Sequence, residues 1–130
     1  MKKILIADDD ENITTALSRR LEANGYDVLT APDGFQALML AREEKPDLML
    51  LDMWMPVGIG LSVAERMHEL GLDIPVIFLT ASRAAGLAAA AREVGAVGYI
   101  EKPYDPAHLL RTIEQALTRT PAPATCGQNP

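Results

Sequence analysis

Five times over, this chain alternates a short, continuous apolar run with a longer amphipathic one, and that alternation limits its fold more than any other feature. Ile4-Leu5-Ile6-Ala7, Tyr26 to Ala31, Leu48-Met49-Leu50-Leu51, Pro75 to Leu79 and Gly98 to Glu101 read as strands. Ile4 to Ala7 and Leu48 to Leu51 are apolar without a break, as expected of strands covered on both faces. Between the strands, Glu11 to Asn24 carries Ile13, Leu17 and Leu21 on one helical face and stops at Gly25, a residue suited to the position after a helix end. Asp33 is placed to cap a second helix through Phe35, Leu38 and Ala41. A third helix is predicted from about Gly60 to Leu70 and an alanine-rich fourth from Ala84 to Val94. Asp105 and Pro106 open a fifth, with Leu109, Ile113 and Leu117 on one face. Strict alternation of strand and helix implies an α/β fold: a doubly wound, five-stranded parallel sheet with five helices and right-handed crossovers.

The chain has 130 residues, a length suited to one hydrophobic core. Residues 1–119 are read as that domain, and 120–130, rich in proline and alanine, as a disordered tail or the start of a linker. Aromatic residues make up only 5%, so the core must be aliphatic. Twelve basic against eighteen acidic side chains give a net charge of −6, with no stripe of Lys and Arg to meet phosphates, which argues against direct contact with nucleic acid. Cys126 is the one cysteine, which rules out an internal disulfide and suits a reducing compartment. The apolar opening ends at Asp8, too soon for a signal peptide, and no run approaches the roughly 18 apolar residues of a membrane span. The expected location is cytoplasmic, away from membrane.

In parallel sheets of this kind, ligands sit beyond the carboxyl ends of the strands. Here the first strand runs into Asp8, Asp9 and Asp10, the third into Asp52, the fourth into Thr80, and the fifth is followed by Lys102. Neighbouring strands lie about 5 Å apart, so these side chains meet at one edge. Singly, each has an ordinary explanation: Asp10 as the cap of the first helix, Thr80 as a hydroxyl satisfying backbone, Lys102 as a surface residue. Jointly they do not, because two carboxylates about 5 Å apart at an effective dielectric of about 20 repel by roughly 3 kcal/mol. A cation relieves that repulsion, and an all-oxygen acidic site suits Mg²⁺.

The chain has no Ser-His-Asp set, no glycine-rich loop ending in Lys-Ser or Lys-Thr, and no G-x-G-x-x-G after the first strand. His68 and His108 fall on predicted helices, away from the edge. What remains is an acid-bound Mg²⁺ beside a hydroxyl and a lysine, the parts needed to handle a phosphoryl group.

The stretches Ile4 to Asp10, Leu50-Leu51-Asp52-Met53-Trp54-Met55-Pro56, Leu79-Thr80-Ala81, Gly95-Ala96 and Tyr99-Ile100-Glu101-Lys102-Pro103-Tyr104 resemble the response-regulator receiver domain of bacterial two-component signalling. The resemblance spans about residues 2 to 118 and implies a flavodoxin-like strand order, 2-1-3-4-5. It implies that Asp52 is the phosphoacceptor and that Asp8, Asp9, Asp52 and the Trp54 backbone carbonyl hold Mg²⁺. Lys102 would pair with a phosphoryl oxygen and precede a cis bond to Pro103. Thr80 and Tyr99 would form the switch, acting on the surface of the fourth helix, fifth strand and fifth helix, and Trp54 and Ser82 would tune phosphate lifetime. As donor it implies a sensor histidine kinase or phosphotransfer protein, and as receiver of the signal an output domain or effector, with phosphorylation-dependent homodimerisation as a further expectation. Such a domain signals rather than turning over a substrate, catalysing only its own phosphorylation and dephosphorylation.

Two rival readings stand beside this one. A haloacid-dehalogenase-type phosphatase would use Asp8 and Asp10 with Thr80 and Lys102, and a degenerate scaffold would bind partners without phosphate. The chain also departs from the receiver pattern in places. Ile59 stands where a helix cap is usual, the acidic pair before Tyr99 is missing, and Gly98 weakens the start of the fifth strand.

Overall fold

A computed structural model describes residues 2–52, 60–80, 96–101 and 104–118, with backbone alone at 60 and 61. The expected alternation is present in the order β1 (Lys3–Ala7), α1 (Glu11–Ala23), β2 (Asp27–Ala31), α2 (Gly34–Glu44), β3 (Leu48–Asp52), α3 (Gly60–Glu69), β4 (Val76–Thr80) and β5 (Gly98–Glu101), closed by the C-terminal helix (Pro106–Thr118). All four strand pairings are parallel, and the sheet order is β2-β1-β3-β4-β5. The predicted fourth helix, at 84–94, lies outside the described residues, as do the 120–130 tail and Ile59.

The three central strands explain the unbroken apolar runs. Ile4 to Ala7, Leu48 to Leu51 and Ile77 to Leu79 are each fully buried, because helices cover the sheet on both sides. Side chains alternate between two aliphatic clusters, following the strand period of two. Leu5, Ala7, Met49, Leu51 and Phe78 pack with Ala37 and Ala41 of α2 and Val63, Ala64 and Met67 of α3. Ile4, Ile6, Leu48, Leu50, Ile77, Leu79 and Ile100 pack with Leu17 and Leu21 of α1 and Leu109 and Ile113 of the C-terminal helix.

Helix ends fall where local chemistry places them. The Asp10 carboxylate accepts from the backbone N–H groups of Asn12 (2.9 Å) and Ile13 (3.4 Å), and Asp33 accepts from Gln36 (2.8 Å). Asp105 accepts from His108 (3.2 Å), and Pro106 is the first residue of the C-terminal helix, where its missing N–H has no cost. Gly25, at φ 88°, turns the chain out of α1 while its N–H and that of Tyr26 bond back to Glu22 and Leu21. Tyr26, expected within the second strand, belongs to this turn.

α2 differs from expectation in two respects. Its apolar residues face outward more than the pattern Phe35, Leu38, Ala41 suggests. Phe35 is 62% exposed, and the buried positions are Gly34, Ala37 and Ala41. Small side chains let this helix approach the sheet closely, so alanines occupy the contact that larger residues would hold open. The helix also ends at Lys45 in the left-handed conformation, φ 47°, a position usually given to glycine.

Candidate functional site

Strand register assembles the site. β1 and β3 pair with Ala7 opposite Leu51, so the next residues along, Asp8 and Asp52, come side by side at the carboxyl edge. Both continue the same alternating rows, Ile4-Ile6-Asp8 and Leu48-Leu50-Asp52, and therefore lie on the same side of the sheet. The outcome is a group of three carboxylates, Asp8, Asp9 and Asp52, each offering an oxygen, with those oxygens all within 4.8 Å of one another.

The three acids differ in environment. Asp8 is 3% exposed and Asp52 7%, while Asp9 faces solvent. Two buried acids and one exposed acid at this spacing make an anionic cluster open to the outside on one side. The donors are all hard carboxylate oxygens, with no imidazole or thiolate among them, which fits a cation such as Mg²⁺ and not a soft transition metal. At 4.8 Å and an effective dielectric of about 20, each charged pair repels by roughly 3 kcal/mol, so a divalent cation has a strong electrostatic reason to bind.

The third acid of the run stands apart from this cluster. The Asp10 carboxylate points back to the first turn of α1, bonded to the amides of Asn12 and Ile13, and its own N–H donates to Asp8 Oδ1 at 2.9 Å. The sequence suggested this capping role. The same geometry removes the phosphatase reading, which needs Asp10 facing the reacting group together with Asp8.

Thr80 ends β4 fully buried, one residue beyond Leu79, the register partner of Asp52. It pairs across the sheet with Glu101, the last residue of β5. Tyr99 lies opposite Phe78 and is 45% exposed, its side chain directed outward. His68 and His108 are exposed on α3 and the C-terminal helix, as expected. Lys102, Pro103, Trp54 and Ser82 lie outside the described residues.

The sequence pattern did not reveal the recess beside the acids. A cavity of about 450 Å³ is lined by Asp8, Asp9, Glu11, Thr14, Thr15, Thr30, Ala31 and Pro32. The available signal was the β1–β2 register: Ala31 pairs with Ala7, which brings the end of β2 next to Asp8. Asp8 N–H bonds to the Ala31 carbonyl at 3.2 Å and fixes this wall of the recess.

Comparison with known proteins places this arrangement. The sequence model of the response regulator receiver domain matches residues 4–114. The alkaline phosphatase synthesis transcriptional regulatory protein PhoP of Bacillus subtilis is 40% identical over 119 residues, 92% of this chain and 50% of that protein. The transcriptional regulatory protein PrrA of Mycobacterium tuberculosis is 37% identical over 123 residues, 95% of this chain and 53% of that protein. The chain thus spans about half the length of these curated relatives. Among solved structures, the receiver domain of Francisella response regulator 1452 superposes with a TM-score of 0.87 at 28% identity, covering 92% of this chain and 98% of that one. The chemotaxis protein CheY4 of Vibrio cholerae superposes with a TM-score of 0.85 at 32% identity, covering 90% and 99%. Among the described residues, no helix is long and apolar enough to cross a membrane. With its 2-1-3-4-5 parallel sheet and the acids gathered at the carboxyl edge, the chain belongs to the receiver-domain family of two-component response regulators.

Proposed function

We propose that this domain takes a phosphoryl group from a histidine kinase or phosphotransfer protein onto Asp52, in a reaction that requires Mg²⁺. The observation that carries this reading is the convergence of Asp8, Asp9 and Asp52 within 4.8 Å at the carboxyl edge of the sheet. A carboxylate oxygen of Asp52 attacks the phosphorus of a phosphohistidine. A P–O bond forms, the P–N bond breaks, and the imidazole nitrogen leaves with the electron pair and takes up a proton.

Asp8, Asp9, Asp52 and the Trp54 carbonyl would hold Mg²⁺, whose charge would offset that of the phosphoryl oxygens. Burial of Asp8 and Asp52 keeps bulk water from solvating those charges, which strengthens every interaction in the site. Lys102 neutralises a further phosphoryl oxygen, and the Thr80 hydroxyl donates to another.

Phosphorylation replaces one carboxylate charge by roughly two and adds strong acceptor oxygens. These draw Thr80 inward, and Tyr99, on the neighbouring strand, follows into the space vacated. The surface around β5 and the C-terminal helix repacks and carries the signal to an output domain or effector, through a homodimer where the output needs one. Trp54 and Ser82 stand two residues beyond Asp52 and Thr80 and set how long the acyl phosphate survives. The acting unit is residues 1–119 in the cytoplasm, with 120–130 a linker or tail.

Intact mass after incubation with acetyl phosphate and Mg²⁺ tests the proposal. The expected result is a labile gain of one phosphoryl group in the wild type and none in Asp52→Asn. A gain that persists in Asp52→Asn, or none in the wild type, overturns it.

A further inference from the structure

We infer that Asp10 is a positioning residue for the acidic site, tying the first turn of α1 to the orientation of the Asp8 carboxylate. The inference rests on the proposed cation-binding role of Asp8, Asp9 and Asp52. Three consecutive aspartates leave β1, and each is used differently. Asp8 is buried and Asp9 exposed, yet both reach Asp52. Asp10 is exposed and is not one of the three clustered acids; its carboxylate is held by the amides of Asn12 (2.9 Å) and Ile13 (3.4 Å). In the other direction, its N–H donates to Asp8 Oδ1 at 2.9 Å, a bond that restrains the rotation of that carboxylate.

The two bonds act in series. The cap goes with an extended Asp10 backbone at φ −91°, ψ 106°, and these angles set the first turn of α1 relative to the N–H that bonds Asp8. Thr14 N–H bonds to the Asp10 carbonyl at 3.1 Å, so the residue is also the first acceptor of the helix ladder. Leu17 and Leu21 anchor the far end of α1 in the core. The rigid helix therefore serves as the reference against which the Asp8 carboxylate is set. A third acid free at this edge would compete for the cation and add to the crowding. The positive end of the helix holds the Asp10 charge away from the cluster instead.

Groups that orient metal-ligating carboxylates commonly change metal affinity by 10- to 100-fold when removed. An NMR titration with Mg²⁺ alone therefore separates the roles, using Asp10→Ala, which loses both cap and charge, and Asp10→Ser, which keeps a capping oxygen without the charge. Positioning predicts that Asp10→Ala binds Mg²⁺ roughly tenfold more weakly and that Asp10→Ser stays within about twofold of wild type. Equal weakening in both variants would make the charge of Asp10 its contribution, and wild-type affinity in Asp10→Ala would make the cap merely structural; either result overturns the inference.

Failure of the wild type to bind Mg²⁺ would overturn the proposed function instead. The inference is then decided by amide exchange in the cation-free protein, corrected for intrinsic rates. The residue-10 amide, whose acceptor is Asp8, should exchange about fivefold faster in Asp10→Ala than in Asp10→Ser, a factor matching the loss of about one cap. Equal exchange in the two variants overturns it.

Discussion

Neutralising Asp52 should make the cation-free protein more stable, although the residue sits in the best-buried part of the molecule. Asp8, Asp9 and Asp52 bring carboxylate oxygens within 4.8 Å, and Asp52→Asn removes two of the three repulsive pairs. Each pair is worth roughly 3 kcal/mol before screening. Exposure of Asp9, dissolved salt and loss of the other contacts of the Asp52 carboxylate reduce that gross figure, and the expected net gain is about 1–2 kcal/mol. In urea with EDTA, such a gain moves the unfolding midpoint up by roughly 0.5–1 M. Mg²⁺ should reverse the order. A cation present at 100 times its dissociation constant stabilises the wild type by about 2.7 kcal/mol, whereas Asp52→Asn has lost one of the three ligands and gains less. A variant no more stable than wild type in EDTA, or one that gains as much from Mg²⁺, would refute the electrostatic reasoning.

Two further substitutions test the backbone of the fold. Gly25→Ala places a side chain at φ 88°, and although no atom of the described residues lies within 4 Å of the new Cβ, the left-handed conformation should cost about 1–2 kcal/mol, read from chemical denaturation. Gly98→Ala should act oppositely. Among the described residues its Cβ meets only the Thr112 methyl, at 3.9 Å, so the reduced freedom of the unfolded chain should raise stability by about 0.4–1 kcal/mol, with a higher thermal midpoint as the sign to look for.

The fold was legible because its strands are short, apolar and separated by helices of standard length. β1, β3 and β4 lie within a residue or so of the limits that Ile4 to Ala7, Leu48 to Leu51 and Pro75 to Leu79 suggested, and Gly98 to Glu101 is β5 as read. The convergence of Asp8 and Asp52 was legible for the same reason, since a parallel sheet brings strand ends to one edge whatever the register. The register decides which acids touch. Asp10 stands apart from Asp8 and Asp9 because it caps α1, a role that its place just ahead of the helical pattern already suggested. The facing of α2 was legible in part: Ala41 is buried and Leu38 packs against the core as read, but apolar spacing counted Phe35 and passed over Ala37, which close packing against the sheet prefers. The left-handed Lys45 had no signal, because lysine has no preference for that conformation. The recess beside Thr30 depends on a contact between β1 and β2 that only the three-dimensional pairing supplies.

The central claim is that acids from the ends of β1 and β3 jointly bind a divalent cation. Paramagnetic broadening by substoichiometric Mn²⁺ in a ¹H–¹⁵N spectrum locates that cation directly. The account predicts that the amides of Asp8, Asp9, Asp10 and Asp52 broaden first and together, and that excess Mg²⁺ restores them. Broadening centred on another acidic stretch, such as Glu43 and Glu44 at the end of α2, with Asp8 and Asp52 left sharp, would contradict it.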